Sequence, residues 1–230
     1  MTKQRAAAWL VHLYTASGGV LGMLALLAAA DSDFRTAFLL LAAAAVIDAT
    51  DGMLARHVRV TEALPNFDGA MVDNVIDFFT YIWVPVFIID RAGLLPHPLL
   101  VVVPILAGLY AYGQANMKTP DGFFLGFPSH WNVVALYLYW LQPGPLLTTL
   151  ALVVPGTLTF VPTRYLYPSK SRPLRVPTFV LGAVWTALVL LLLLQPAPDM
   201  RLVWLSLLYP LYYLLGSFYV DWRVRRQASA

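Results

Sequence analysis

At 230 residues the chain has room for several membrane spans and for no sizeable soluble domain besides. Hydrophobic residues make up 60% and charged residues 12%, with a mean hydropathy of +0.70, whereas soluble domains carry roughly 25% charged residues; the composition belongs in lipid. The net charge of +3 is small, and the lack of cysteine excludes disulfides, thiolate nucleophiles and thiolate metal sites.

A helix needs about 20 mostly apolar residues to cross the hydrocarbon core. On that criterion the chain offers eight candidate transmembrane helices, near 8–29, 34–56, 68–89, 97–117, 129–141, 145–164, 176–195 and 201–221. The first contains Ala28-Ala29-Ala30, which resembles a signal-peptide cleavage site, but its apolar stretch is longer than a signal core, so it is read as a retained span. The fifth is short and amphipathic. Only the turn chemistry of Gln142, Pro143, Gly144 and Pro145 separates it from the sixth, and the pair reads equally as one broken element. No repeat or polar linker interrupts the series. The expectation is an all-α fold, a polytopic membrane helix bundle, with residues 1–230 forming one membrane-embedded domain.

The basic residues orient this bundle. With the N-terminus in the cytoplasm, the inner loops hold Lys3, Arg5, Arg56, Arg59, Lys118, Arg164, Lys170, Arg172, Arg175, Arg223, Arg225 and Arg226. The outer loops hold only Arg35, Arg91 and Arg201. Such an excess of inner cations supports an even span count and cytoplasmic termini.

The most informative segment closes the second span, Asp48-Ala-Thr-Asp51-Gly52-Met-Leu-Ala55-Arg56. The third opens with Gly69-Ala-Met-Val-Asp73-Asn-Val-Ile-Asp77. At about 100° per residue, Asp48 and Asp51 share one helix face, as do Asp73 and Asp77. One span runs inward and the next outward, so both pairs lie near the cytoplasmic surface. Four carboxylates brought together repel and lose charge by protonation unless cations compensate them. Acids inside spans are costly and usually functional. Oxygen ligands without Cys or His suit Mg²⁺ or Mn²⁺ better than zinc or copper. Such a site is well placed for a nucleotide diphosphate, whose oxygens the metals polarise and whose leaving group they neutralise.

Other readings compete. A proton or cation relay, as in a cation-coupled membrane transporter, also places acids in spans. Gly52 and Ala55 have the spacing of helix-packing residues. Asp90, Asp199 and Asp221, isolated at span ends, are read as caps or ion-pair partners.

Together these segments resemble the signature of the CDP-alcohol phosphotransferase family, D-x-x-D-G-x-x-A-R followed after a gap by G-x-x-x-D-x-x-x-D. Asp48, Asp51, Gly52, Ala55, Arg56, Gly69, Asp73 and Asp77 occupy all the fixed positions. The gap of twelve residues between Arg56 and Gly69 is longer than in most of the family. The longer gap, the segments Lys118–Asn132 and Arg164–Ser169, and the eight spans all resemble the bacterial branch that forms phosphatidylcholine. The resemblance implies a cytoplasm-facing polar cavity in a bacterial inner-membrane protein, and a homodimer. It implies transfer of the phosphatidyl group of CDP-diacylglycerol to choline with release of CMP; serine, inositol or glycerol phosphate are the alternative acceptors. Asp48, Asp51, Asp73 and Asp77 would hold a pair of divalent ions, Mn²⁺ or Mg²⁺. Asp77 would act as general base, and Gly52, Ala55, Arg56 and Gly69 would line the CDP site.

A choline ammonium has no hydrogen-bond donor, so aromatic faces are the expected means of capture. Tyr112, Trp131, Tyr165 and Tyr167 fall near the cytoplasmic ends, and Trp131 and then Tyr112 lead as candidates; Trp83 lies too deep in its span. Each is also an ordinary belt or packing residue. Lys118 and Arg164 lead the candidates for the lipid-side phosphate, ahead of Lys170, Arg172 and Arg175, although attraction to anionic lipid explains such cations too. Thr15 and Ser17 offer polar contacts to the nucleotide.

Overall fold

The computed structural model describes residues 2–168, 171 and 174–228; Ser169, Lys170 and Arg172 lie outside the described residues. The helices in chain order are α1 (Lys3–Ala30), α2 (Phe34–Val58), α3 (Val60–Ala63), α4 (Gly69–Phe78), α5 (Val84–Arg91), α6 (Val102–Gly113), α7 (Trp131–Leu141), α8 (Pro145–Thr159), α9 (Arg175–Leu194), α10 (Met200–Ser206) and α11 (Leu208–Ala228). A π-helical turn, Phe79–Trp83, joins α4 to α5, and a 3₁₀ turn, Pro98–Val101, leads into α6. Two short strands complete the description, β1 (Phe123–Leu125) and β2 (Arg164–Leu166).

The all-α membrane bundle is therefore present. Among the described residues, five stretches are long and apolar enough to cross a membrane: Lys3–Ala30, Phe34–Val58, Gly69–Arg91, Arg175–Leu194 and Met200–Gln227. The other three expected spans correspond to shorter apolar helices, Pro98–Gly113, Trp131–Leu141 and Pro145–Thr159. Large apolar side chains stand exposed along the long helices, among them Leu10, Leu13 and Val20 of α1 and Val176, Phe179 and Val184 of α9. Lipid is the solvent in which such surfaces are stable.

The chain packs as two compact units, Met1–Val101 with Trp131–Pro143, and Val102–His130 with Gly144–Ala230. The segment 129–164 is accordingly two helices rather than one broken element. Gln142 adopts a left-handed backbone at φ 41°, and α8 starts afresh at Gly144-Pro145.

In the first unit α1 is the central element. It pairs along its length with α2 and also touches α3, α4, the π turn and α5. Its buried residues include Ala8, His12, Thr15, Gly18, Gly22, Ala25 and Ala29, a seam of mostly small side chains spaced three or four apart. Without a hydrophobic driving force between helices in lipid, close backbone approach along such a seam supplies the packing. At Gly22 a Cβ would stand 2.8 Å from Thr80 Cγ2 and 2.9 Å from Phe79 Cδ1, so this glycine admits the π turn. Arg91 Nη2 ties the end of α5 to the end of α1 by donating to the Ala30 carbonyl at 2.9 Å. Asp33 and Asp68 cap α2 and α4, accepting from the N–H groups of Thr36 and Met71 at 3.1 and 3.0 Å.

The second unit holds a feature absent from the sequence reading, the antiparallel β1–β2 pair with Phe123 opposite Leu166. Three-residue strands are too short to display an alternating pattern, and their partners are distant in sequence. Helix α11 completes the hydrogen bonding of β2: Leu166 N–H donates to Ser217 Oγ at 3.1 Å, and Tyr213 Oη donates to the Leu166 carbonyl at 2.8 Å. Phe123, Phe127, Tyr165, Leu166, Tyr213 and Val220 form the core around it. Gly126 follows β1 with φ 81°, and a Cβ there would collide with the Thr159 carbonyl oxygen.

Candidate metal and active site

Asp48 and Asp51 lie in the last turns of α2, before Arg59 ends the helix with a left-handed backbone at φ 55°. Asp73 and Asp77 lie one turn apart on α4, where the Asp68 cap fixes the helix start. All four acids line one small cleft with Thr15, Gly18, Ala44, Ile47, Ile76 and Thr80. Within it, carboxylate oxygens of Asp48, Asp73 and Asp77 lie within 4.8 Å of one another. Asp51 lines the same cleft beside that trio and accepts a hydrogen bond from Thr15 Oγ1 at 2.8 Å. Asp51 and Asp77 are buried, at 6% and 8% exposure, while Asp48 and Asp73 are half-buried.

The donor set fits a hard divalent cation. Three carboxylates from two helices converge, the ligands are all oxygen, and Ala44, Ile47 and Ile76 make the surroundings partly apolar. Like charges this close in a low dielectric raise one another's cost unless a cation offsets them.

Several residues escaped the sequence reading. Tyr81, in the π turn, donates from Oη to Asp48 Oδ2 at 2.7 Å. Its only sequence signal is position, four residues beyond Asp77 on the same stripe. Tyr14 Oη and Thr50 Oγ1 share a hydrogen bond at 2.8 Å, a further polar link between α1 and α2. His12 packs its ring against Gly69 so closely that a Cβ there would overlap it, and its neighbours are Trp9 and Phe67. Gly69 thus has a packing reason for its small size, whatever else it lines. Gly52 similarly leaves room for Arg56, whose Nη1 would lie 3.2 Å from a Cβ at that position. Of the two polar candidates on α1, Thr15 faces Asp51, whereas Ser17 Oγ donates to the Tyr14 carbonyl at 2.6 Å.

The acceptor and lipid candidates are distributed over both units. Trp131 opens α7 in the first unit and is fully enclosed, at 0% exposure. Tyr112 belongs to the second unit and is half-buried. Tyr165 is also fully enclosed, and burial beside the Asp221 carboxylate pushes its phenol up to about 12. Tyr167 stacks on Phe124 at 4.6 Å between ring centroids. Lys118 is exposed, whereas Arg164 faces two carboxylates, Asp121 at 3.5 Å and Asp221 at 3.7 Å. Asp221 also pairs with Arg225 at 2.7 Å, the ion-pair role expected of it, and Asp199 caps α10 through the Arg201 N–H at 2.9 Å.

A polytopic bundle of apolar helices with an all-carboxylate centre shared by α2 and α4 defines an integral membrane protein with a candidate divalent-cation site. No family model matches the chain. It is, however, 36% identical over 229 residues to the phosphatidylcholine synthase of Pseudomonas aeruginosa, covering 97% of this chain and 94% of the relative. The phosphatidylcholine synthase of Legionella pneumophila is 37% identical over 93% of this chain and 88% of the relative. That of Bradyrhizobium diazoefficiens is 40% identical over 81% of this chain and 71% of the relative. The chain belongs to the phosphatidylcholine synthase family.

Proposed function

We propose that the protein transfers the phosphatidyl group of CDP-diacylglycerol to choline, forming phosphatidylcholine and releasing CMP, with the chemistry of the wider CDP-alcohol phosphotransferase family. The observation that carries this reading is the convergence of Asp48, Asp73 and Asp77 at one point of a membrane bundle whose relatives are phosphatidylcholine synthases.

Asp48, Asp51, Asp73 and Asp77 hold the divalent ions, Mn²⁺ or Mg²⁺. When bound, these supply positive charge against the diphosphate and the departing CMP. Gly52, Ala55, Arg56 and Gly69 line the nucleotide, and the exposed guanidinium of Arg56 offers forked hydrogen bonds to phosphate. Asp77 accepts the choline hydroxyl proton as the choline oxygen bonds to the phosphorus bearing diacylglycerol and the bond from that phosphorus to the CMP oxygen breaks.

Trp131 is the first candidate for the choline contact and Tyr112, of the other unit, the second. For Trp131 this requires rearrangement on binding, since its ring is enclosed. Lys118 is the better candidate for the lipid-side phosphate, because Arg164 already faces Asp121 and Asp221. The protein is placed by this reading in the bacterial inner membrane, with both termini cytoplasmic, as a homodimer.

The test is CMP release by purified protein from CDP-diacylglycerol with Mn²⁺, when choline, serine, inositol or glycerol 3-phosphate is supplied singly. Release with choline alone, abolished by EDTA, is expected. Release with another alcohol only would keep the aspartate chemistry and overturn the acceptor. Ion-dependent solute flux without CMP release would replace the enzyme by a transporter.

A further inference from the structure

The two acids of α2 each accept a hydroxyl hydrogen bond from a different neighbouring element. Thr15 of α1 donates to Asp51 Oδ2 at 2.8 Å, and Tyr81 of the π turn donates to Asp48 Oδ2 at 2.7 Å. Neither hydroxyl belongs to the signature residues, and neither has a part in the proton transfer described above.

The backbone fixes both donors. Tyr81 lies inside Phe79–Trp83, where the helix widens to a π turn, a local change often found where a helix serves a site. The turn is seated by its neighbours: Phe79 and Thr80 close on Gly22 of α1, and Thr80 Oγ1 donates to the Ile76 carbonyl at 3.0 Å. Thr15 is buried at 7% exposure in the seam of α1. A carboxylate held at one oxygen by a rigidly mounted donor keeps a single orientation. Residues that orient metal ligands in this way commonly set affinity without touching the ion.

We propose that Tyr81 and Thr15 are positioning residues for the cation site, holding Asp48 and Asp51 in the orientation that receives a divalent ion before substrate arrives. This rests on the metal reading above.

The experiment is a Mn²⁺ titration of the purified full-length protein in detergent, without substrate, with free Mn²⁺ followed by electron paramagnetic resonance. The proteins compared are wild type, Tyr81→Phe, Thr15→Val, Thr15→Ser and Asp73→Asn. Tyr81→Phe and Thr15→Val are expected to weaken Mn²⁺ binding by about 10-fold, while Thr15→Ser, which keeps the donor, stays near wild type. In turnover, Tyr81→Phe should raise the Mn²⁺ concentration needed for half activity, with kcat largely recovered at saturating Mn²⁺. Binding by Tyr81→Phe within about twofold of wild type overturns the role of Tyr81. Should Tyr81→Phe fail to fold by circular dichroism, the Thr15 pair decides: equal binding by Thr15→Val and Thr15→Ser overturns the proposal. A wild-type protein that binds no Mn²⁺, or an Asp73→Asn variant that binds it as wild type does, overturns the metal reading and this proposal with it.

Discussion

Asp77 and Asp73 sit one turn apart yet differ in surroundings, the first buried and the second half-buried. The proposed general base is thus the buried one of the pair. Asp77→Asn keeps the shape but removes the acceptor, so kcat for CMP release should fall by at least about 10²-fold while helical circular dichroism is unchanged. The acids were legible in the sequence because carboxylates stand out against apolar helices. Tyr81 and His12 were not, since hydroxyls and rings are common in membrane helices and nothing local distinguishes a packing ring from an orienting one. Gly69 shows the same limit from the other side. Resemblance implies that it lines a nucleotide, and only the structure shows the His12 ring closing against it.

Among the elements, apolar length and turn chemistry locate the eight apolar helices, but neither the short α3 nor the places where helices change character. Nothing in Phe79–Trp83 signals a π turn; the close fit of Phe79 and Thr80 at Gly22 is a tertiary contact. The same holds for β1 and β2, where Ser217 and Tyr213 of α11 bond the Leu166 backbone. Removing one of those partners should be costly: Tyr213→Phe leaves the buried Leu166 carbonyl without its hydroxyl donor, and a loss of about 1–3 kcal/mol is expected, read as a lower unfolding temperature in detergent. Gly126→Ala places a Cβ against the Thr159 carbonyl at a left-handed backbone position, where alanine is strained. A lower unfolding temperature and reduced folded yield are the outcomes to look for. If that variant proved as stable as wild type, the fit of the β1 loop against the end of α8 would be wrong.

For the whole molecule, the composition already points to lipid, and the eight apolar segments correspond to the eight apolar helical regions described. Their division into two packing units was not legible, because it follows from contacts rather than from any polar linker. A cation that joins α2 to α4 should stabilise the folded chain by mass action. At free Mn²⁺ about 100 times its dissociation constant the gain is about 2.7 kcal/mol, visible as a rise in unfolding temperature that EDTA reverses and that Asp73→Asn lacks. The division also has a consequence for synthesis. The acids and their helices α1, α2 and α4 all lie within the first 78 residues, whereas α7, which packs on α5, begins about 40 residues after α5 ends. At about 5–20 residues per second, the ribosome leaves the flank of α5 uncovered for roughly 2–8 s. The four acids are thus synthesised before the shelter for α5, so a chain halted between the two would expose an unclosed apolar side of α5 for the insertion machinery to guard.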